Sequence, residues 1–347
     1  MRAIVYDGVR AVRLENVREP AIVASTDALV RVTLSGICGT DLHLISGHFS
    51  GLQPGTIMGH EFVGDVVDVG SAVQRIKRGD HVMASDFTAC GHCRWCVRGD
   101  HWECDDRAFF GSGRAFGPDL AGAQAELVRV PLADTTLLPV PSGCSDEGAL
   151  LIGDNLATAW AAIERGEVRA GDNVAIIGGG TIGQLASLSA QAAGAGLVAV
   201  IEPNERRRSF AELHGALAVA PDRAAEFVRR LTGGDGADIA IEAVGGDSPL
   251  AGAMSVIRKR GRVVSVGAHH AQTWPLPISR CFSDEITLTF AIGDSIRLRH
   301  RLARLVASRV LDPTIVVGAR IALASAPSAY EDLAHQKLLK AVIDPRL

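Results

Sequence analysis

NVAIIGGGTIG, from Asn173 to Gly183, opens with a short apolar run, Val174 to Ile177, of the length and composition of a buried strand. The run stops in three glycines, and Gln184 to Ala193 continues as an Ala/Leu-rich helical pattern. Gly178, Gly180 and Gly183 stand in the frame G-x-G-x-x-G. In that frame the first glycine permits a tight turn, the second lets a pyrophosphate approach the backbone, and the third lets helix and strand pack closely. The start of the helix, Thr181 and Ile182, then offers unpaired N–H groups and a positive dipole end to phosphates. A glycine triplet alone is weak evidence, but a second apolar run, Leu197 to Ile201, ends in Glu202. That acid lies about 20 residues beyond the glycines, where a ribose-binding carboxylate belongs.

Downstream of this unit the chain alternates. Helical patterns at 205–214, 224–231 and 249–259 separate strand patterns at 217–220, 238–244 and 262–266, and 286–292 reads as a sixth strand. Such alternation demands a parallel, doubly wound sheet of the Rossmann type. From Asn173 to Ile201 no residue is charged, a span long enough to cross a bilayer. The glycines and the polar Gln184, Ser187, Ser189 and Gln191 favour buried strands over a membrane segment.

Before it, residues 3–6, 28–32, 65–70 and 123–140 alternate apolar and polar, as in an antiparallel, partly barrel-like unit. The expected organisation is a catalytic domain over 1–154, a nucleotide-binding domain over 155–290, and a return to the first domain over 291–347. A helix at 155–164 makes the bridge and a strand at 338–343 closes the chain. The 347 residues, 47% hydrophobic and 21% charged, suit two globular cores, and a net charge of −4 argues against nucleic acid or an anionic membrane surface as partner. Asp7 interrupts the first apolar run, so no secretion signal is expected and a cytoplasmic location is.

Seven cysteines without an export signal point to metal or catalysis rather than disulfides. Cys90, Cys93 and Cys96 are spaced two residues apart and Cys104 follows across a short loop, a set that can close tetrahedrally on one zinc. Four thiolates leave no open position, so this lobe, 90–104, is expected to be structural. Arg94 and Arg98 would offset some of the thiolate charge. A second group of ligand types lies upstream, in GICGTDLH at 36–43 and GHEFVG at 59–64. Taken singly, Cys38 reads as an inert thiol and His60 as a core histidine. Together, beside glycine turns and ahead of a dinucleotide motif, they read as metal ligands.

These motifs in this order resemble the zinc-dependent medium-chain alcohol dehydrogenases over nearly the whole chain. The resemblance implies a GroES-like antiparallel β catalytic domain joined to a Rossmann domain, and hydride transfer between an alcohol, or an aldehyde or ketone in reverse, and NAD. It implies two zinc ions per chain. The catalytic one would be held by Cys38, His60 and, at the segment entering the bridging helix, Asp154, with Glu61 able to approach from the open side. Cys144 lies ten residues too early for that position. An acidic third ligand resembles the formaldehyde, polyol and secondary alcohol branch of the family. Asp41 would orient His60, and Thr40 and His43 fall on the family's proton-relay positions. Arg207, Val266 and Lys340 are further cofactor-binding candidates, with one of Arg206, Arg207 and Arg208 flanking the adenosine and the others facing solvent. NAD is expected over NADP because the charge of Glu202 repels a 2′-phosphate. An NADP-preferring enzyme, a zinc-free reductase and a non-enzymatic zinc or redox protein are the competing readings. Phe49, Phe87, Trp102, Phe109, Phe110 and Trp274 are candidate pocket walls, although such residues are more often core. The resemblance also implies a homodimer or homotetramer formed through the sixth strand.

Overall fold

The computed structural model describes all 347 residues and divides into two compact units, Met1–Asp154 with Asp294–Leu347, and Asn155–Gly293. In chain order the strands are β1 (Arg2–Gly8), β2 (Ala11–Asn16), β3 (Ala28–Ile37), β4 (Phe62–Val69), β5 (His81–Ala84), β6 (Leu127–Val130) and β7 (Leu137–Pro139). There follow β8 (Asn173–Ile177), β9 (Leu197–Ile201), β10 (Leu217–Val219), β11 (Ala237–Glu242), β12 (Ile257–Ser265), β13 (Thr287–Phe290), β14 (Val317–Ala322) and β15 (Lys340–Asp344). The helices are α1 (Gly39–Ile45), α2 (Arg94–Arg98), α3 (Ala133–Thr136), α4 (Asp146–Ile152), α5 (Asn155–Gly166) and α6 (Thr181–Ala192). Then come α7 (Glu205–Leu213), α8 (Ala224–Leu231), α9 (Asp247–Val256), α10 (Ile278–Ser283), α11 (Ser295–Ala307) and α12 (Ala326–Ala334). None is long and apolar enough to cross a membrane.

In the second unit the six strands run parallel in the order β10-β9-β8-β11-β12-β13. This is the doubly wound Rossmann order, with the switch point between β8 and β11. The central strands β8 and β9 are almost wholly apolar, as strands covered by helices on both faces must be. One boundary departs from the sequence pattern. The helix expected to reach Lys259 stops at Val256, and Ile257 to Lys259 belong to β12, where Ile257 pairs with Ala237. Ile257 is extended and buried, so sheet pairing outcompetes local helical periodicity. At its other end α9 begins two residues before Pro249, which then sits in the first turn, where its missing N–H costs nothing.

The first unit is built around a seven-stranded, mostly antiparallel sheet in the order β14-β15-β3-β4-β5-β7, with β6 pairing β3. A core of Val30, Val32, Phe62, Val66, Val82, Phe110 and Leu137 fills it. Several elements of this unit escape the sequence reading, three of them instructively. α4 is signalled only by Ser145, whose Oγ accepts from Gly148 N at 3.1 Å, followed by Asp146 and Glu147 at the positive helix end. Thr135 and Thr136, expected in a strand, close the short helix α3 instead. β14 pairs in parallel with β15, a long-range contact that no local pattern announces.

His81 on β5 ties β4 to α4. Its Nδ1 lies 2.7 Å from Asp65 Oδ1 and its Nε2 2.9 Å from Asp146 Oδ1. Partial burial lowers the imidazole pKa, but the hydrogen bonds to Asp146 and Asp65 outweigh it and raise the group above its ordinary value. A raised pKa gives stability that is fully present below the unfolded value near 6.5 and lost as pH rises through the folded value. His81→Gln should therefore lower Tm most at about pH 6 and progressively less toward about pH 9. Thermal melts of both proteins across that range check it, and a gap that widens with pH refutes it.

Candidate catalytic and structural metal centres

Three segments carry one group of ligand atoms together. Cys38 ends the turn after β3 and is the N-cap of α1, His60 and Glu61 precede β4, and Asp154 follows α4. Cys38 Sγ, a His60 ring nitrogen and carboxylate oxygens of Glu61 and Asp154 all lie within 4.8 Å of one another. The Cys38 thiol donates to Asp154 Oδ2 at 3.5 Å, and His60 Nε2 is 3.4 Å from the same oxygen. Cys144 is elsewhere, with its thiol on Ala303 O at 3.6 Å, so Asp154 completes the group.

The alignment of these side chains is fixed by local structure. Asp41 Oδ2 accepts the Cys38 backbone N–H at 2.9 Å, which caps α1, while its Oδ1 faces His60 Nδ1 at 3.4 Å. Gln124 Nε2 donates to Gly36 O at 2.9 Å and reaches Asp41 Oδ2 at 3.4 Å, and Tyr330 hydroxyl donates to Gln124 Oε1 at 2.8 Å. Glu61 lies against Gly36, where any Cβ would come within 1.7 Å of its Oε2, so only glycine fits. Lys340 Nζ donates to that oxygen, and both residues are at most 1% exposed. Lys340 is thus a buried partner of Glu61 in the first unit and does not present itself as a cofactor-binding side chain.

Burial pushes the Cys38 thiol up, with Asp154 and Glu61 adding to the rise. Burial likewise raises the Glu61 carboxyl to about 7 against the pull of Lys340. Asp154 goes the other way: its burial is outweighed by His60, which holds it well below the usual carboxylate range. Asp86, which the sequence reading passed over, is a further buried acid raised by burial and by repulsion from Asp154. Its Oδ1 accepts from Ser295 Oγ at 3.3 Å and Ser85 Oγ at 3.4 Å.

This donor set fits a divalent cation. Both His60 ring nitrogens are fully enclosed and make no hydrogen bond, an arrangement that costs free energy unless something else engages them. On binding an ion the Cys38 thiol would release its proton, so that it and the Asp154 carboxylate would supply two negative charges; the Glu61–Lys340 pair is neutral, and nitrogen, sulfur and oxygen donors suit zinc. Thr40 lies beside the group, its Oγ1 accepting from Cys38 Sγ at 3.8 Å. His43 lies one turn along α1, half-buried. Of the candidate pocket walls, Phe49, Phe109, Trp102 and Phe87 form one run of edge contacts with Phe116. The Phe109 ring is 4.9 Å from that of His60. Phe110 instead packs on Phe62 in the β core, and Trp274 packs on the core of the second unit.

The second group is the cysteine lobe. The sulfurs of Cys90, Cys93, Cys96 and Cys104 also lie within 4.8 Å of one another. Cys93 N donates to Cys90 Sγ at 3.3 Å and Cys90 N to Cys104 Sγ at 3.2 Å, bonds that stabilise thiolates. Backbone N–H groups of Cys96 and Asp105 bring the Cys93 thiol down to about 6. Arg94 and Arg98 do not pair with the sulfurs; they stack over Trp95 at 4.9 and 5.9 Å.

In the second unit the three motif glycines occupy distinct environments. Gly178 has φ +98°, and a Cβ there would strike Val244 at 2.4 Å. A Cβ at Gly183 would lie 1.8 Å from Gly178 O, whereas at Gly180 the nearest atom is an Arg207 nitrogen at 3.8 Å. Turn, open approach and close packing are therefore divided among them as the motif requires. Glu202 Oε2 accepts from Gly179 N at 2.6 Å and Oε1 from Asn204 N at 2.8 Å, so the acid braces the loop. Arg206 faces solvent, but Arg208 turns back onto Glu202 O at 2.9 Å and Pro203 O at 2.7 Å, contrary to the solvated position expected for it. Arg207 is half-buried, its Nε enclosed without a partner; burial lowers its pKa while Glu202 raises it. Val266 follows β12, its N–H on Glu242 O at 2.8 Å. Sequence patterns also missed a network there, in which Ser265 Oγ donates to Glu242 Oε2 at 2.6 Å and meets His269 Nε2 at 2.7 Å.

Comparison with known proteins identifies the family. The alcohol dehydrogenase GroES-like domain matches residues 24–142 and the zinc-binding dehydrogenase domain matches residues 181–308. A Mycobacterium tuberculosis protein named as a zinc-binding alcohol dehydrogenase is 38% identical over 95% of this chain and 84% of its own. The chain belongs to the zinc-dependent medium-chain alcohol dehydrogenases. Among solved structures, the alcohol dehydrogenase TADH from Thermus sp. ATN1 is 36% identical with a TM-score of 0.94, covering 99% of each chain. A zinc-binding dehydrogenase of Sinorhizobium meliloti bound to NADP is 28% identical with a TM-score of 0.86, again over 99% of each chain. The protein is accordingly an oxidoreductase of small molecules, and its family uses zinc and a nicotinamide cofactor.

The two cysteine-containing groups separate in their expected response to substitution. Wild type should carry about two zinc ions per chain. Asp154→Ala should fold with about one, and Cys93→Ser should lose stability of the lobe while keeping the other ion. Elemental analysis of the three proteins checks this, and one zinc in wild type that survives Asp154→Ala rejects the Cys38–His60–Asp154 centre.

Proposed function

We propose that this dehydrogenase oxidises alcohols, or reduces the matching aldehydes and ketones, with NAD. The observation that carries the reading is the enclosed His60 imidazole, without hydrogen-bond partners, among Cys38, Glu61 and Asp154. Cys38, His60 and Asp154 would hold a catalytic zinc, which supplies a Lewis acid that acidifies the substrate hydroxyl. Glu61, paired with Lys340, would be a further oxygen donor available to the ion. Cys90, Cys93, Cys96 and Cys104 would hold a second, structural zinc.

The proton needs a path of groups that donate and accept. Thr40 Oγ1, 3.8 Å from the Cys38 sulfur, would receive it from the substrate hydroxyl, and His43 would release it to solvent. Phe109, Trp102 and Phe87 would supply apolar contact for the substrate's carbon skeleton.

In the nucleotide unit, Gly180 and the N-terminus of α6 would receive the pyrophosphate, with Thr181 and Ile182 in the first turn, and Val266 would border the nicotinamide. Glu202 would accept the adenosine ribose hydroxyls. Arg207, with an enclosed Nε lacking a partner, is the feature that favours NADP instead. The edge strand β13 and the segment after it, with Phe290 and Ile292 more than half exposed, are the face proposed to join two copies of the chain.

kcat/KM with NAD should exceed that with NADP, and the order should narrow or invert in Glu202→Ala; a wild-type preference for NADP assigns the site to Arg207. For the relay, Thr40→Val should lower kcat by about 100-fold or more at every pH. His43→Gln should slow oxidation mainly near neutrality, with partial recovery at higher pH or on adding imidazole buffer. An unchanged pH–rate profile in His43→Gln removes that residue from the path.

A further inference from the structure

Away from the candidate metal centres, one enclosed cation of the first unit has no counter-ion. Arg299 on α11 is 5% exposed. Its Nη1 donates to Thr136 O at a long 3.4 Å, and its Nε is enclosed without any partner. The two charges that act on it have opposite signs, and the like one is the stronger. Arg75, in the loop between β4 and β5, repels it, and Asp294 attracts it less strongly. Burial, followed by Arg75, lowers the guanidinium to about 10. Next to it on the same helix, burial and then Arg299, Arg75 and Arg304 lower His300.

The two acids nearby are engaged elsewhere. Asp294 accepts from His101 N at 2.8 Å and from Arg297 N at 2.9 Å. Asp134 accepts from Gln74 N at 2.9 Å and Arg75 N at 2.7 Å. Asp134 and Thr136 belong to the same helical turn, α3. That turn therefore anchors the backbone carrying Arg75 with one residue and receives the Arg299 side chain with another, which brings the cations to one corner.

A buried guanidinium without an ion-pair partner is strongly unfavourable, and the like charge of Arg75 adds to the cost. A bound oxyanion removes both penalties, and guanidinium forks match its geometry. We propose that Arg299, Arg75, His300 and Arg304 form a site for an oxyanion of the phosphate class, inorganic phosphate or the phosphate group of an ester. The enclosed Arg299 is its floor, and the exposed Arg75, His300 and Arg304 are its rim.

Calorimetric titration tests this on the zinc-loaded full chain, with the nucleotide site saturated by dinucleotide so that its own phosphate pocket is filled. Inorganic phosphate and glycerol 3-phosphate are titrated separately. Saturable binding is expected, weakened about 10-fold or more in Arg75→Ala and in Arg304→Ala, both surface changes. Tighter binding of the ester assigns a phosphorylated metabolite, and equal binding assigns the free ion. Arg299→Met should abolish binding and raise Tm in phosphate-free buffer, because it removes an uncompensated charge. Absence of saturable binding overturns the site, as does binding unchanged in Arg75→Ala and Arg304→Ala or matched by chloride at equal ionic strength.

Discussion

The packing of the first unit depends on enclosing a set of groups that do not tolerate enclosure on their own. Cys38, His60, Glu61 and Asp154 are brought together by three chain segments far apart in sequence, in a place where water no longer solvates them. Each carboxylate taken from water costs several kcal/mol unless a charge partner or hydrogen bonds replace the lost hydration. Lys340 provides that partner for Glu61, and β15, which carries it, is buried along its whole length beside β3. Asp154 and His60 hold each other only at 3.4 Å and without hydrogen-bond geometry. What remains is an enclosed imidazole without hydrogen-bond partners beside a thiol and two carboxylates, a donor set that a divalent cation would complete.

The surrounding architecture follows from that requirement. Asp41 caps a helix and faces His60 at once, so the same carboxylate fixes the direction of α1 and of the imidazole. Gln124 links Gly36, Asp41 and Tyr330, tying β3, α1 and α12 to one amide. A change at Gln124 would disturb the ring of His60 without touching it, because each group in the chain is held by the next.

Much of this was legible in the residues, and unevenly so. The second unit announced itself because a parallel sheet buried on both faces writes continuous apolar runs, and because the glycine frame has a mechanical reason at each position. The cysteine lobe was legible for the same kind of reason: its ligands are local. The centre built from Cys38, His60 and Asp154 was legible only through the family's motif order, since 116 residues separate Cys38 from Asp154. Nothing local marks Lys340 as a buried partner, because its ion pair with Glu61 spans 279 residues. Asp86 and the Ser265–Glu242–His269 network escaped for that reason too. Ile257 to Lys259 went astray differently, since there the local pattern was clear and the sheet overruled it.

Arginine shows how the same side chain can settle three ways in one structure. Arg94 and Arg98, expected to offset the thiolates, lie over Trp95, where a guanidinium keeps most of its hydration and gains contact with the ring. Arg208 satisfies two loop carbonyls and braces the turn after β9. Arg207 and Arg299 are different, because burial strips their hydration and returns little in exchange. A sequence in which the first two outcomes were available did not adopt them at these two positions. The enclosed Arg299 guanidinium is therefore a feature the fold maintains at a cost, which a bound anion would lower.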